Sequence, residues 1–361
     1  MTEAPVGDTS PVFLVAGEVV GDLARDCMWL DVSEGLGGLR RLEAHFKAAG
    51  AGATGPPATV LHLDGSTVDL GSDLRVAIGT PDAQRYVFEG VVSALELMLD
   101  DGDTPIAGVL AEDVLMQLRM TRRLRTWTQV SDADLASSIA SEHGLQANVE
   151  APGPRYDVVQ QLNQSDLAFL RERARLVRAE IWATGRTLHF RTRTARQATA
   201  LTLVKGAELL SACFTADLSR QRSEVHVTGY DADQKQIVDE RAGPDVVRAE
   251  APGGRTGADL VGRVFGSATT LRVREAALNS EEAGSWARAE MLRRGRAFVT
   301  VQGQTNGTAD LVVGSGLTLD GVGEPFQGGG YYATHVRHTF DRTHGFRTRF
   351  EAERATLNEV S

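Results

Sequence analysis

Residues 156–190 read YDVVQQLNQSDLAFLRERARLVRAEIWATGRTLHF, and they carry the signals of a strand, a helix and a hairpin in succession. Residues 156–162 form a β-type run. Ser165 precedes a helical pattern, where its hydroxyl can accept a hydrogen bond from a first-turn N–H group, and Asp166 suits the positive end of the helix dipole. The sequence therefore predicts a strand that leads directly into a capped helix.

The predicted helix, residues 166–178, has one apolar face, because these residues recur at helical spacing: Leu167, Leu170, Ala174 and Val177. The charged residues between them are expected to face water. Residues 180–183 and 187–191 then read as two strands that are joined by a tight turn at residues 184–186. Together these elements predict a small α+β module.

Composition and charge exclude several classes of protein. The chain has 361 residues, of which 42% are hydrophobic and 24% charged, and this length suits two or three folded domains. A net charge of −10 argues against a general nucleic-acid binder, which needs a basic surface. The N-terminus lacks the basic start and apolar core of a signal peptide, and no apolar run approaches the ~20 residues that span a bilayer. We expect synthesis in the cytoplasm, no membrane insertion, and release only by lysis or within a particle.

The sequence on either side of the module is rich in strand patterns, which occupy residues 12–20, 27–32, 59–63, 68–70, 74–78, 86–99, 105–111, 209–216, 224–231, 298–302, 317–320, 331–340 and 346–353. Helical spacing predicts a helix over residues 35–49, followed by a loop at residues 50–57. Ser131 and Asp134 form an acidic capping box for a helix that ends near His143. Residues 243–257 read as an exposed loop, and Ser280 is expected to cap a last helix.

The final hairpin has two faces, because side chains alternate along a strand. The pattern predicts a core face that consists of Tyr332, Thr334, Val336, His338, Phe340, Phe346, Thr348 and Phe350. It places an outward face at Tyr331, His335, Arg337, Arg347, Arg349 and Glu351. The tripeptides Phe88-Glu89-Gly90 and Phe326-Gln327-Gly328 each precede a long strand, which suggests an internal duplication.

Two segments resemble the phage late control protein D family, which includes the hub portion of the VgrG proteins of type VI secretion. The first is the run LNQSDLAFL at residues 162–170, whose signature residues are Asn163, Ser165, Asp166, Phe169 and Leu170. In that family a Gly usually ends the helix, whereas Arg178 stands near that place here. The second is the closing hairpin, residues 326–353. We expect the signature residues to act in packing and capping.

The resemblance implies an α+β, mostly β protein that has two similar antiparallel β-barrel domains with the α+β module between them. We place the domains at residues 1–127, 128–194 and 195–361, the last with an inserted loop and helix. It also implies a homotrimeric baseplate hub of a contractile injection system, in which three subunits present six similar units. The expected partners are a hexameric inner tube protein, a separate trimeric spike protein and other baseplate subunits. The spike is expected to be separate because the chain ends at Ser361 without a needle-like repeat.

The sequence offers little evidence of catalysis, and we predict no enzyme, no cofactor and no metal site. It has no Gly-x-Ser-x-Gly, His-Glu-x-x-His or P-loop motif. Cys27 and Cys213 lie in no disulfide or metal spacing. His338 is expected to be a hydrogen-bonded core residue. A particle-associated cell-wall hydrolase remains the alternative, since catalytic carboxylates can be distant in sequence.

Arginines mark the expected subunit or partner contacts. Arg337, Arg347 and Arg349 are predicted to face a neighbouring subunit or a channel wall. A second basic cluster contains Arg122 and Arg123, together with Arg119 and Arg125, and it is the densest in an acidic chain. Such a cluster suits either a solvated or inter-domain face or an electrostatic contact with an acidic partner.

Overall fold

A computed structural model describes residues 10–49, 60–79, 84–196, 198–251 and 253–359. It is mostly β, with 49% strand and 21% helix, so the predicted fold class is confirmed. The loop predicted at residues 50–57 lies outside the described residues. Most strands belong to one thirteen-stranded sheet that takes members from both ends of the chain.

The elements of the first part of the chain are mainly antiparallel strands. In chain order they are β1 (Val12–Val15), β2 (Glu18–Val19), α1 (Gly21–Asp26), β3 (Cys27–Gly35), β4 (Arg41–Lys47), β5 (Asp73–Ile78), β6 (Arg85–Met98), β7 (Ile106–Glu112) and a 3-10 helix (Val114–Arg119). The helix predicted over residues 35–49 is wrong. Leu42, Ala44 and Phe46 are buried at alternate positions of β4, because this strand pairs between β3 and β7.

The middle of the chain forms the predicted strand, helix and hairpin. Its elements are β8 (Arg122–Ser131), α2 (Asp132–Glu142), β9 (Gln146–Glu150), β10 (Arg155–Ser165), α3 (Asp166–Leu176), β11 (Ala179–Thr184), β12 (Thr187–Thr192) and a 3-10 helix (Arg193–Ala195). The capping box of Ser131 and Asp134 is confirmed. Arg178 follows α3 with a φ of 62°, so an arginine occupies the left-handed position that glycine usually takes after a helix.

The last part of the chain contains β13 (Leu201–Val204), β14 (Leu209–Ala216), β15 (Glu224–Asp231), β16 (Gln236–Ala242), α4 (Pro244–Glu250), β17 (Arg255–Thr256), α5 (Gly257–Phe265), β18 (Thr269–Ala277), α6 (Ser280–Arg296), β19 (Val299–Asn306), β20 (Gly316–Asp320), β21 (Gly328–Asp341), β22 (Gly345–Arg354) and β23 (Thr356–Leu357). The exposed loop predicted at residues 243–257 is wrong, since Pro244 opens α4. The cap of α6 is Asn279 and not Ser280, because the Asn279 side chain accepts a hydrogen bond from the Glu282 N–H at 2.9 Å.

Two further strand predictions need correction. Residues 60–70 form turns and bends where strands were predicted at residues 59–63 and 68–70. There Asp64 accepts a hydrogen bond from the Ser66 N–H at 2.9 Å, and this local bond competes with a sheet ladder. The strand predicted over residues 12–20 is divided into β1 and β2 by a turn at Ala16, whose φ is 49°.

The thirteen-stranded sheet runs in the order β14-β19-β22-β21-β3-β4-β7-β6-β5-β1-β2, and β20 and β13 branch from β21. The two ends of the chain meet where β21 pairs with β3. No pairing among the described residues closes either half into a barrel. The sheet therefore joins the two expected β-rich regions by hydrogen bonds, while the domain borders at 127/128 and 194/195 stay predictions.

The two halves of the sheet have matching topology, which confirms an internal duplication. In chain order β3, β4, β5, β6 and β7 correspond to β14, β19, β20, β21 and β22, and each antiparallel pairing in one set has its counterpart in the other. β1 and β13 differ, since β1 is antiparallel to β5 and β13 is parallel to β20.

Matching bulges fix the correspondence residue by residue. The β6–β7 register shifts between Val92 and Ala94, and the β21–β22 register shifts between Ala333 and His335. The β3–β4 and β14–β19 pairs shift in the same way, between Cys27 and Trp29 in one and between Leu209 and Ser211 in the other. A bulge is specific to its position in a strand, so its repetition is strong evidence of duplication.

The bulge in β21 corrects the predicted faces of the hairpin. Tyr331 and Ala333 are buried before the bulge, and Val336, His338 and Phe340 are buried after it. Strict alternation had placed Tyr331 outward, and the extra residue in the bulge explains the change of face. The two tripeptides that suggested the duplication do not occupy equivalent positions. Gly90 pairs with Leu74, and the residue that pairs with the corresponding Leu317 is Tyr331. Gly90 is therefore equivalent to Tyr331 and not to Gly328.

Three apolar cores support this architecture. One contains Leu30, Phe46 and Phe88 under the first half of the sheet, and a second contains Tyr331, Phe298 and Phe350 under the other half. The third joins α2, α3 and the neighbouring strands to β15, β16 and α6. The predicted apolar face of α3 belongs to this third core, which confirms its burial.

Candidate assembly surface

The face of the sheet that points away from the two apolar cores is polar. On the central strands β3, β4, β21 and β22 buried apolar residues largely alternate with residues that are mostly charged or hydroxylated, of which Asp31 on β3 is itself buried. Because β21 pairs with β3, this polar face continues across both halves of the chain. A continuous polar sheet face can contact water or a hydrophilic partner over a large area.

The predicted arginines Arg337, Arg347 and Arg349 lie together on this face. Arg337 donates to the carboxylate of Asp31 on β3. Burial raises the pKa of Asp31, and the guanidinium of Arg337 opposes that shift. Arg349 lies directly opposite Arg337 and donates from Nε to Gln304 Oε1 at 3.1 Å. Among the described residues Arg347 and Arg349 have no carboxylate partner, so the patch keeps a positive charge.

The other predicted arginines, Arg122 and Arg123, lie elsewhere, on the separate two-stranded sheet of β8 and β10. Arg122 is exposed and lies opposite Ser165. Arg123 donates from Nε to Asp166 Oδ2 at 2.9 Å. The structure thus brings this arginine cluster to the signature segment, a relation that the sequence did not reveal.

The signature residues form the start of α3 and its anchor. Ser165 accepts a hydrogen bond from the Ala168 N–H at 3.3 Å, so the predicted cap is confirmed. Asn163 lies in the bulge of β10 with a φ of 50°, a conformation that asparagine tolerates better than most residues. Phe169 and Leu170 are buried in the third core.

Asp166 is the electrostatic centre of this segment. It is fully buried and accepts from Arg123, from Arg125 Nη2 at 3.0 Å, from His143 Nε2 at 2.9 Å and from Gln161 Nε2 at 2.9 Å. Burial alone would raise the pKa of the Asp166 carboxyl. The hydrogen bonds from His143 and Gln161 and the two arginine charges outweigh burial and hold that pKa below its usual value. The arrangement is a structural anchor and leaves no open position for a ligand.

A second buried network connects distant parts of the chain. Glu34 on β3 accepts from Arg40 Nε at 3.0 Å and from Arg196 Nη2 at 2.8 Å. Glu180 on β11 accepts from Arg196 Nη1 at 3.3 Å and from the Tyr332 hydroxyl at 2.7 Å. The network therefore links β3, β11 and β21. Nothing in the sequence spacing reveals it, since its members are up to about 300 residues apart.

An arginine-lined cleft of about 620 Å³ opens beside the C-terminal ends of α3 and α6. Arg171, Arg175 and Arg178 line one wall, and Arg171 Nε donates to the Gly37 carbonyl at 2.7 Å. Within the described part of the chain these three side chains have no carboxylate partner. Burial lowers the pKa of Arg178, and the nearby Arg288 and Arg296 lower it further. The cleft can therefore attract an anionic group.

Several strand edges of the thirteen-stranded sheet are open among the described residues, and two of them, on β14 and β6, have paired counterparts elsewhere in the sheet. β14 ends the sheet and pairs with β19, and on its other edge Leu209 forms an isolated bridge with Lys205. β6 pairs with β5 from Arg85 to Val91, and no described strand pairs with that edge beyond Val91. The composition of β14 is LLSACFTA, without a charge, which is unusual for an edge that stays exposed to water.

The histidines and cysteines show no site of their own. His338 is buried, its Nδ1 lies 3.0 Å from Thr348 Oγ1, and burial lowers its pKa to about 3, so the predicted core role is confirmed. No group of three metal-ligating side chains occurs in the part of the chain that the structure describes. Cys27 is buried and Cys213 is exposed, and both are free thiols. None of the described helices has the length and apolarity to cross a membrane.

Comparisons with known proteins agree with this fold. A family model described as the Alg8 N-terminal domain matches residues 64–341, which is more than half of the chain. No curated protein matches the sequence.

Several solved structures are similar over almost the whole chain. A 43 kDa tail protein of prophage MuSo2 from Shewanella oneidensis has a TM-score of 0.66 at 14% identity, covering 96% of this chain and 98% of that chain. A tail protein from Neisseria meningitidis has a TM-score of 0.64 at 12% identity, covering 95% and 96%. A type VI secretion component from E. coli, described as similar to T4 tail proteins, has a TM-score of 0.54 at 14% identity, covering 93% and 76%. The chain thus has the fold of phage tail and type VI proteins.

Proposed function

The chain belongs to the family described as the Alg8 N-terminal domain, and we propose that it is a structural baseplate hub protein of a contractile, phage-tail-like injection particle. Three copies form a ring that joins a hexameric inner tube to a trimeric spike, in contact with other baseplate subunits. The proposal follows the late control protein D and VgrG resemblance of the two signature segments.

The duplicated sheet is the observation that carries this proposal. Each chain has two corresponding sets of strands, with the same order and the same bulges. Three chains therefore present six similar units, which match a six-fold partner, while the ring keeps the true three-fold symmetry that a trimeric spike requires. The full-length likeness to phage tail proteins supports the same role.

The polar face of the sheet is proposed to line the central opening of the ring. Its reverse covers the apolar cores, so the polar face is the side that suits a water-filled channel. Arg337, Arg347 and Arg349 then contribute positive charge to the channel wall. The arginine cleft at Arg175 and Arg178 adjoins this face, since Glu353 of β22 is part of its lining, and it suits contact with an acidic surface of another baseplate subunit.

The location follows from this role. The protein is synthesised and assembled in the cytoplasm and leaves the cell as part of the particle. In this proposal the protein catalyses no reaction, and it acts by binding other subunits through complementary surfaces.

The proposal is tested by the mass and shape of the purified protein. Light scattering after size exclusion is expected to give three times the chain mass of 38.8 kDa, and negative-stain images are expected to show a three-fold ring with a central opening. A monomer with no ring would refute the hub role. Turnover of purified peptidoglycan by the chain would instead support the alternative of a cell-wall hydrolase.

A further inference from the structure

The open edge of β14 has an internal counterpart that is already paired. β14 corresponds to β3, because their partners β19 and β4 match and both carry the same bulge. The edge of β3 that faces away from β4 pairs with β21. On the same edge of β14, Leu209 forms an isolated bridge with Lys205, and Ser211 to Ala216 have no strand partner in the described part of the chain.

The open edge of β6 has a counterpart in the same junction. β6 corresponds to β21, and the first part of each strand pairs with β5 or β20 respectively. Beyond its bulge, β21 continues on that edge to pair with β3 from His335 to Asp341. Beyond its own bulge, β6 continues from Ala94 to Met98, and that edge has no described partner.

We propose that β14 of one copy pairs antiparallel with the second part of β6 in a neighbouring copy, and so repeats the β3–β21 junction between chains. The proposal deepens the proposed function and depends on it, since it requires a ring of copies. Each chain then contributes one internal junction and one intermolecular junction, and the two alternate around the ring. An open edge at β14 and an open edge at β6 meet, so neither is left exposed.

The internal junction dictates the intermolecular register. His338 lies opposite Val32, and Thr339 lies opposite Asp31. The bulges equate Thr339 with Met98, since Thr339 is four residues after His335 and Met98 is four after Ala94. They equate Asp31 with Cys213, since each lies two residues after the end of its bulge. Met98 is therefore placed opposite Cys213 of the neighbouring copy, and Leu97 opposite its Phe214.

The side chains on the two edges fit this register. Leu97 and Leu99 are 43% and 67% exposed, and Leu210 at the start of β14 is 46% exposed. Leu97 corresponds to the buried His338, and Phe214 corresponds to the buried Val32, so this pair would continue the apolar cores across the junction. Leu97 and Leu99 thus become covered when two copies meet, opposite Phe214 and Ala212 of the neighbour, whereas Leu210 lies beyond the paired residues.

The register is tested by one engineered thiol. Met98→Cys places a second thiol opposite the native Cys213, and cross-strand neighbours have Cβ atoms ≈ 4.5–5.5 Å apart, within reach of a disulfide after small adjustment. Mild oxidation of the purified protein is expected to give disulfide-linked dimers and trimers on a non-reducing gel. Met98→Cys with Cys213→Ser is the matched control and is expected to stay uncrosslinked. Cys27 is buried and takes no part.

A second variant tests which face of β6 carries the side chain opposite Cys213. Leu97→Cys introduces the same thiol one residue earlier, where it points to the opposite face of the strand, and it is expected to cross-link at least tenfold less than Met98→Cys. Each outcome is decisive. A trimeric Met98→Cys protein that does not cross-link refutes the register and leaves the hub role intact. A protein that is monomeric by light scattering overturns both proposals.

Discussion

Replacing Asp166 with Asn is the sharpest test of how the signature segment works. The substitution preserves the shape of the side chain and removes its negative charge. In the structure that charge accepts hydrogen bonds from Arg123, Arg125, His143 and Gln161, all between 2.9 and 3.0 Å, and the residue has no exposed surface. The amide oxygen of Asn can still accept from Gln161, but the N–H₂ group takes the place of Oδ2 and then faces the donors Arg123 and His143.

The magnitude follows from the burial of the partners. Breaking a fully buried ion pair costs about 3–5 kcal/mol. Here the side chains of Arg123 and Arg125 are 34% and 22% exposed, and Glu142 lies 2.8 Å from Arg125 Nη1, so water and Glu142 recover part of the loss. We expect Asp166→Asn to lower the free energy of unfolding by roughly 2–4 kcal/mol. With an unfolding entropy of roughly 2.1 cal/mol/K per residue, the melting temperature of a 361-residue cooperative unit falls by roughly 3–5 °C.

Thermal unfolding followed by circular dichroism measures this effect. Asp157→Asn is the matched control, because Asp157 is exposed and among the described residues accepts a side-chain hydrogen bond from Gln129 alone, at 2.7 Å. Its melting temperature is expected to stay near that of the parent. If Asp166→Asn melts within about 1 °C of this control, the buried carboxylate does not anchor the module and the reasoning fails.

The same pair of proteins has a defined pH dependence. The pKa of Asp166 is lowered in the folded state, so its contribution to stability is fully present above the unfolded value of about 3.9 and is lost as the pH falls through the folded value. The difference in unfolding free energy between parent and Asp166→Asn should therefore be largest near neutral pH and shrink in acid below about pH 4. Urea unfolding at several pH values measures it, and a difference that grows in acid would contradict the assignment.

Two further variants test the burial of α3 and the role of the surface arginines. Leu170→Asp places an unpaired charge at a fully buried position of α3 and should lower the free energy of unfolding by several kcal/mol. The control, Arg175→Asp on the exposed side of the same helix, should lower it far less. Equal melting temperatures of the two variants would show that the apolar face of α3 is not buried. Arg347→Glu combined with Arg349→Glu should impair ring or particle assembly, while Lys235→Glu in an exposed turn should not, and normal assembly of the double variant would remove these arginines from the proposed contact.

Patterns among neighbouring residues predicted the elements of the α+β module and most of the strands correctly. Ser131 and Ser165 cap their helices as predicted. A helix cap is a contact between residues that are two or three positions apart, so it can be predicted from a short stretch of sequence. The apolar face of α3 is likewise a property of one helix. These features depend on the chain within a few residues, and sequence patterns report them directly.

Features that depend on distant pairing were not predictable from the pattern. β4 reads as a helix because Leu39, Leu42 and Phe46 fall at helical spacing, yet its position between β3 and β7 imposes a strand. Tyr331 changes face because of a bulge whose extra residue has no sequence signal. The partners of Glu34 and the meeting of Asp166 with Arg123 arise only after folding, since the residues come from separate elements.

The duplication also explains why the polar face crosses from one half of the chain to the other. A sheet that ended at β3 or at β21 would leave the backbone N–H and C=O groups of that strand edge unpaired. Pairing these edges within one chain removes both and needs no second molecule. The corresponding edges at β14 and β6 have no strand partner among the described residues. In the proposed ring other copies supply the partners of these edges. A polypeptide with two repeats then makes half of the junctions among six units permanent, which lowers the entropic cost of assembling the remainder.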